Sequence, residues 1–130
     1  MKRIFLVCAF ACMFAAFASS QQKQAVIVVS DSSLYDFGDV KEADGPVTHV
    51  FKVKNSGDAP LVITKVTASC GCTTPDWTKE PIAPGKTGEV KATFDVNGRV
   101  GPFTKTISVF SNGSSGSYVL TIKGNVIGKQ

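Results

Sequence analysis

From Leu34 to Val126 the chain repeats one device: short runs in which apolar and polar residues alternate, each closed by a cluster of glycine, proline, asparagine, aspartate or serine. A period of two puts every second side chain on the same face of an extended strand, whereas a helix needs apolar positions three and four apart. Val47, His49, Phe51 and Val53 share one face of such a run, with Thr48, Val50, Lys52 and Lys54 on the other. Val90, Ala92 and Phe94 alternate in the same way with Glu89, Lys91 and Thr93, and Tyr118, Leu120, Ile122 and Val126 make the inward face of a last strand. Asp44-Gly45-Pro46, Asn55-Ser56-Gly57-Asp58, Pro84-Gly85, Asn97-Gly98 and Asn112-Gly113-Ser114-Ser115-Gly116 supply the turns. In Pro84-Gly85 the order is that of a type II turn, with φ fixed at the first position and positive φ allowed at the second. A chain written this way cannot be a helical bundle, and it has no place for a site that depends on helical spacing.

Three further segments complete the strand set: residues 34–38, residues 61–68, and residues 103–111, which resume strand composition after the loop at Asn97. About seven short antiparallel strands, with turns at roughly 8 to 12 residue intervals, predict a single immunoglobulin-like β-sandwich over residues 34–127. A small barrel is the alternative. The chain has 130 residues, which leaves room for one domain. Cys70 and Cys72 are too close in sequence to pin two sheets together, and Trp77 follows them, so cohesion falls to Phe37, Phe51, Phe94, Phe103 and the aliphatic residues.

Lys2 and Arg3 precede an almost wholly apolar run from Ile4 to Phe17, and Ala16-Phe17-Ala18 places small residues where a signal peptidase reads them. Residues 1–18 are therefore expected to be a cleaved signal peptide, and residues 19–33 a leader that can hold a short first strand at Ala25-Val26-Ile27-Val28-Val29. The apolar run is too short to span a membrane, so no transmembrane segment is expected in the mature chain. Ala9-Phe10-Ala11-Cys12 lacks the leucine of a lipobox, so no lipid anchor is expected either. Of the 4 cysteines, Cys8 and Cys12 leave with the peptide; Cys70 and Cys72 enter the periplasm or the extracellular space, where disulfides persist. The formal net charge of +4 falls by two when Lys2 and Arg3 are removed, which leaves no field for nucleic acid.

The one constellation with chemical content is Ser69-Cys70-Gly71-Cys72-Thr73. Two thiols flanking one residue bridge only if the backbone folds sharply, and Gly71 accepts the positive φ such a fold can use. Three readings stay open: a static disulfide that shapes the loop, a redox-active pair, and a thiolate site for soft copper. His49 is the only imidazole, and it lies on the apolar register of its strand, where a backbone partner normally satisfies it. Were it to meet Cys70 and Cys72, three ligands would suffice for a weak copper or zinc site, although a closed structural zinc site takes four. The expectation is no resident cofactor.

Catalysis finds no motif: no serine in a nucleophile elbow, no phosphate loop after a strand, and one histidine without a recognisable partner. Asp36, Asp39, Glu42 and Asp44 read as solvated loop carboxylates, since no calcium-loop spacing is present. Arg99, the one arginine of the mature chain, reads as half of a surface ion pair, and Asn112-Gly113-Ser114 as a hairpin turn that also matches a glycosylation acceptor.

At Asp36-Phe37-Gly38, His49 to Gly57, Pro60-Leu61-Val62-Ile63 and above all Ala68-Ser69-Cys70-Gly71-Cys72-Thr73, the chain resembles the bacterial domain-of-unknown-function family 1573 (DUF1573). The likeness continues through Ile82-Ala83-Pro84-Gly85 and Gly101-Pro102-Phe103 to Leu120-Thr121-Ile122-Lys123-Gly124. It implies a relative of the Hydin-type immunoglobulin-like domains, exported to a bacterial envelope. Some family members are lipoproteins, and the missing lipobox sets this chain apart from them. The resemblance assigns no role to Cys70 and Cys72. The resulting expectation is a non-enzymatic exported module that binds an envelope or extracellular protein through its loops or a free strand edge, with a thiol redox or copper-handling protein as the alternative.

Overall fold

The computed structural model describes residues 24–29 and 32–129; the expected signal peptide and the start of the leader lie outside the described residues. Eight strands appear in chain order: β1 (Ile27–Val29), β2 (Leu34–Lys41), β3 (Val47–Asn55), β4 (Ile63–Ala68), β5 (Thr73–Trp77), β6 (Thr87–Phe94), β7 (Gly101–Ser111) and β8 (Ser117–Ile127). They form two four-stranded sheets, ordered β1-β3-β6-β5 and β2-β8-β7-β4. The inward registers of the two sheets close on one core, which makes the expected immunoglobulin-like sandwich.

The alternation read from the sequence is what fills that core. Phe51, Val53, Val90, Ala92 and Phe94 from the first sheet meet Phe103, Ile107, Val109, Leu120, Ile122 and Val126 from the second, all buried. Phe94 and Phe103 stack across the sheets with ring centroids 4.1 Å apart. Each fully buried side chain of this size contributes about 1.5–3 kcal/mol by leaving water. Pro84-Gly85 turns as expected: the Lys86 N–H donates to the Ala83 carbonyl at 2.9 Å, with Gly85 at φ 77°.

Two expectations are corrected. Among the described residues the strands number eight, because Thr73–Trp77, which is not among the segments read from the sequence, is also a strand. Pro75 and Asp76 interrupt its strand formers Thr73, Thr74 and Trp77 and read as a turn, and pairing with β6 decides the conformation. The sandwich is also not wholly antiparallel, since β2 runs parallel to β8. No hairpin joins those two strands, so no turn dictates their direction. The two strands β1 and β2 join different sheets, with β1 on β3 in the first and β2 on β8 in the second.

Asn55, read from sequence as a turn former, is instead a fully buried polar hub at the end of β3. Its Nδ2 donates to the carbonyls of Ala59 (2.7 Å) and Ile82 (2.9 Å), and its Oδ1 accepts the N–H groups of Gly57 (3.0 Å) and Val26 (3.3 Å). One side chain thus ties β1, β3 and the segment before β6 together, with every polar atom satisfied.

Candidate functional site

β4 ends at one edge of the second sheet and β5 begins at the neighbouring edge of the first, so residues 69–72 carry the chain from one sheet to the other. Backbone bonds fix both ends of this crossing. The Ser69 N–H donates to the Thr106 carbonyl (2.9 Å), and the Thr106 N–H returns to Ser69 Oγ (3.1 Å). On the far side the Asp95 N–H donates to the Cys72 carbonyl at 2.9 Å. Between these anchors the Cα atoms of Cys70 and Cys72 lie 5.3 Å apart with their sulfurs in contact, a separation that a disulfide accommodates.

The two cysteines differ in their surroundings. Cys72 is 8% exposed and belongs to the core, whereas Cys70 is partly exposed and only packs against it. The Cys72 N–H donates to Cys70 Sγ at 3.2 Å, and Thr73 Oγ1 lies 4.0 Å from the same sulfur. Gly71 is not used as the sequence suggested. It is absent from the residues with positive φ, and apart from its two neighbours a Cβ added there would meet nothing within 4 Å. The ring closes without left-handed backbone.

His49 is not brought to this pair: among the described residues no three histidine, cysteine, aspartate or glutamate side chains gather to hold a metal ion. Its ring stacks on Tyr35 at 3.6 Å, nearly parallel, and meets Phe51 edge-on at 4.6 Å. The other candidates have structural partners. Arg99 pairs with Asp95 at 3.6 Å. Asp36 accepts the Gly38 N–H (2.8 Å) and faces Lys123 (3.9 Å), Asp39 accepts from Asn125 (3.2 Å), and Glu42 accepts the Gly98 N–H (3.0 Å). Asn112 accepts the Val62 N–H and donates to the Pro60 carbonyl, so its amide shapes the turn.

The strand edges, expected as a docking route, are each blunted. At β5 the Asp95–Cys72 and Thr78–Glu89 bonds show that even-numbered residues pair with β6, so Thr73, Pro75 and Trp77 turn their nitrogens outward. The Thr73 N–H is taken by the Cys70 carbonyl (3.3 Å), Pro75 has none, and the Trp77 N–H is taken by Asp76 Oδ1 (2.9 Å). At β2 the N–H groups of Leu34 and Gly38 go to Ser32 Oγ and Asp36 Oδ1. β4 has an irregular register at Ile63/Lys65 and an exposed lysine, and β1 has 3 residues. These are the devices by which sheet proteins prevent edge pairing.

Sequence reasoning passed over the outer face of the second sheet. Thr104, Thr106, Ser108 and Phe110 on β7, with Ser117, Val119 and Thr121 on β8, point away from the core, and Leu34 on β2 is in register with Thr121. Phe110 (38%), Val119 (52%) and Leu34 (44%) are exposed along a diagonal of this face; none of these eight residues is charged, while Lys65, in register with Phe110, and Lys123 and Asp36, beside Thr104, flank them. The outward positions of β7 announced it: four in succession without a lysine or glutamate.

Among the described residues no helix is long and apolar enough to cross a membrane. No curated protein matches the chain. In fold it resembles a protein of unknown function from Porphyromonas gingivalis W83 (20% identity, TM-score 0.67, covering 78% of this chain and 46% of that one). It also resembles the VesB protease of Vibrio cholerae (17%, 0.57, 79% and 31%) and a PapD-like domain of human CEP192 (8%, 0.62, 82% and 87%). The chain thus spans less than half of the Porphyromonas protein and less than a third of VesB. A family model described as a protein of unknown function, DUF1573, matches residues 20–126.

Proposed function

The chain belongs to the DUF1573 family, and on that footing we propose that it is an exported, non-enzymatic recognition module that holds another envelope protein against the outer face of its second sheet. The observation that carries this reading is the strip from Phe110 through Val119 to Leu34, exposed among threonines and serines and flanked by Lys65, Lys123 and Asp36. Interface centres are depleted in charged residues and close over aromatic and aliphatic side chains, while a surface meant only for water is studded with lysine and glutamate. The partner's chemistry follows: a protein surface that is itself poor in charge, with apolar side chains to meet the diagonal. Edge-strand addition is the weaker route, because the described edges carry blocked N–H groups, a proline, bulges or a lysine.

Export rests on the basic start, the short apolar run and the small residues at Ala16 and Ala18. It places the domain in an oxidising compartment, where a Cys70–Cys72 disulfide stiffens the crossing between the sheets. The test is a photo-reactive residue introduced at Val119, and separately at Lys52 on the opposite face, in cells that export the full chain. A single different protein cross-linked from position 119 and not from 52, whose purified form binds the domain and loses affinity for Phe110→Lys, is the expected result. No adduct at 119, or an adduct between two copies of this chain, overturns the proposal.

A further inference from the structure

We infer that Cys70 and Cys72 form an exchangeable disulfide, with Cys70 the sulfur that joins a dithiol or disulfide of a partner protein and Cys72 the sulfur that resolves the mixed disulfide. The inference does not depend on the docking face; it rests on the asymmetry of the pair. An attacking sulfur must reach its target in line with the bond that breaks, and only Cys70 is open to solvent, since Cys72 lies in the core. Beyond the two cysteines themselves nothing packs against the Cβ position of Gly71, so no side chain of another element covers the residue between them. In the closed pair the Cys72 N–H already donates to Cys70 Sγ at 3.2 Å, and a donor at that sulfur stabilises the negative charge a nucleophilic thiolate carries.

The crossing that the bond stiffens does not rest on the bond alone. Ser69 and Thr106 exchange two hydrogen bonds on one side of the pair, Cys72 is tied to Asp95 on the other, and the Thr73 N–H closes on the Cys70 carbonyl. With the crossing anchored at both ends and one residue between the cysteines, the freed sulfurs stay beside each other, as a resolving step requires.

The exchange balances in both directions. In the reduced domain the Cys70 thiolate attacks one sulfur of a partner disulfide; a Cys70–partner bond forms, the partner's S–S bond breaks, and its second sulfur leaves as a thiolate. Cys72, having given up its proton to solvent, attacks Cys70 Sγ, closes the intramolecular bond and releases the partner's first sulfur. Two electrons pass to the partner, whose two thiolates take up two protons. Run backward, a partner dithiol is oxidised and the domain is reduced.

Purified mature protein is equilibrated in mixtures of reduced and oxidised glutathione, quenched in acid, alkylated and weighed, with circular dichroism recorded on both end states. The bond is expected to open and close within the glutathione series while the strand signal is unchanged. Cys72→Ser is expected to acquire glutathione from its oxidised form at least tenfold faster than Cys70→Ser. Cys72 is a core residue, so Cys72→Ala serves as a second variant, and the wild-type titration needs neither. A bond that opens only when denaturant unfolds the domain, or equal adduct rates at the two positions, overturns the inference.

Discussion

The two outer faces of the sandwich are built from the same strand geometry and carry opposite surfaces. On the first sheet Lys52 pairs with Glu89, Asp76 lies in register with Lys91, and Thr48 shares a hydrogen bond with Thr93 at 3.0 Å. Cross-strand charges and hydroxyls there satisfy one another, leaving a face complete in water. On the second sheet the outward positions of the middle rows, Thr106, Ser108 and Phe110 with Ser117, Val119 and Thr121, hold no charge, and Lys65, Lys123 and Asp36 flank them. Since both sheets bury their inner faces in one core, stability does not explain the difference. On the proposed reading the contrast is a division of labour, with the first sheet's outer face complete in water and the second sheet's strip of Phe110, Val119 and Leu34 kept for a partner.

If that division is real, changes in the first sheet register in stability and changes on the second sheet's outer face register in binding. The largest effect is expected at Asn55. Replacing Asn55 by Ala leaves two carbonyls and two N–H groups without their partner at the joint of β1, β3 and the segment before β6. A loss of about 3 kcal/mol in a denaturant melt is expected, because buried groups left unmade cost more than a bond contributes. A loss below about 1 kcal/mol would mean that water replaces the side chain and that the hub is not what holds the first sheet.

Val119→Lys is the complementary change. Its side chain faces solvent, so stability should move by less than about 0.5 kcal/mol. Affinity for the cross-linked partner should fall at least tenfold, about 1.4 kcal/mol, measured by titration calorimetry with the purified pair. Unchanged affinity would erase the distinction between the faces. Lys52→Ala sharpens it from the other side. An exposed ion pair with Glu89 is expected to contribute about 0.2–1 kcal/mol to the melt, and its removal nothing to binding.

The sandwich was legible because a half-buried strand writes its environment into alternate positions, and Phe51, Val90, Phe94, Leu120 and Ile122 all fall where the alternation puts them. What escaped was set by pairing rather than by pattern. Thr73–Trp77 is extended because β6 holds it, and β2 runs parallel because β8 is there to meet it. Asn55 looked like a turn residue because turn and hub use the same amide; only its neighbours in space distinguish them. Cys70 and Cys72 were visible as a pair, but which of them faces solvent depends on a crossing between sheets that no local spacing encodes.

Gly71 is the smallest expected effect and the most discriminating, because it lies in the link that joins the two faces. From sequence its value was left-handed backbone, and on that account Gly71→Ala would strain the crossing and cost about 1 kcal/mol or more. The structure gives it ordinary φ and open surroundings, so the alanine variant should melt within about 0.5 kcal/mol of wild type. A methyl added at Gly71 meets no other element and lies next to Cys70 in the chain. The alanine methyl should therefore slow the reaction of Cys70 with glutathione while leaving the melt alone. A shift in the melt without a change in that rate would return Gly71 to a purely backbone role and make the crossing a passive link between the sheets.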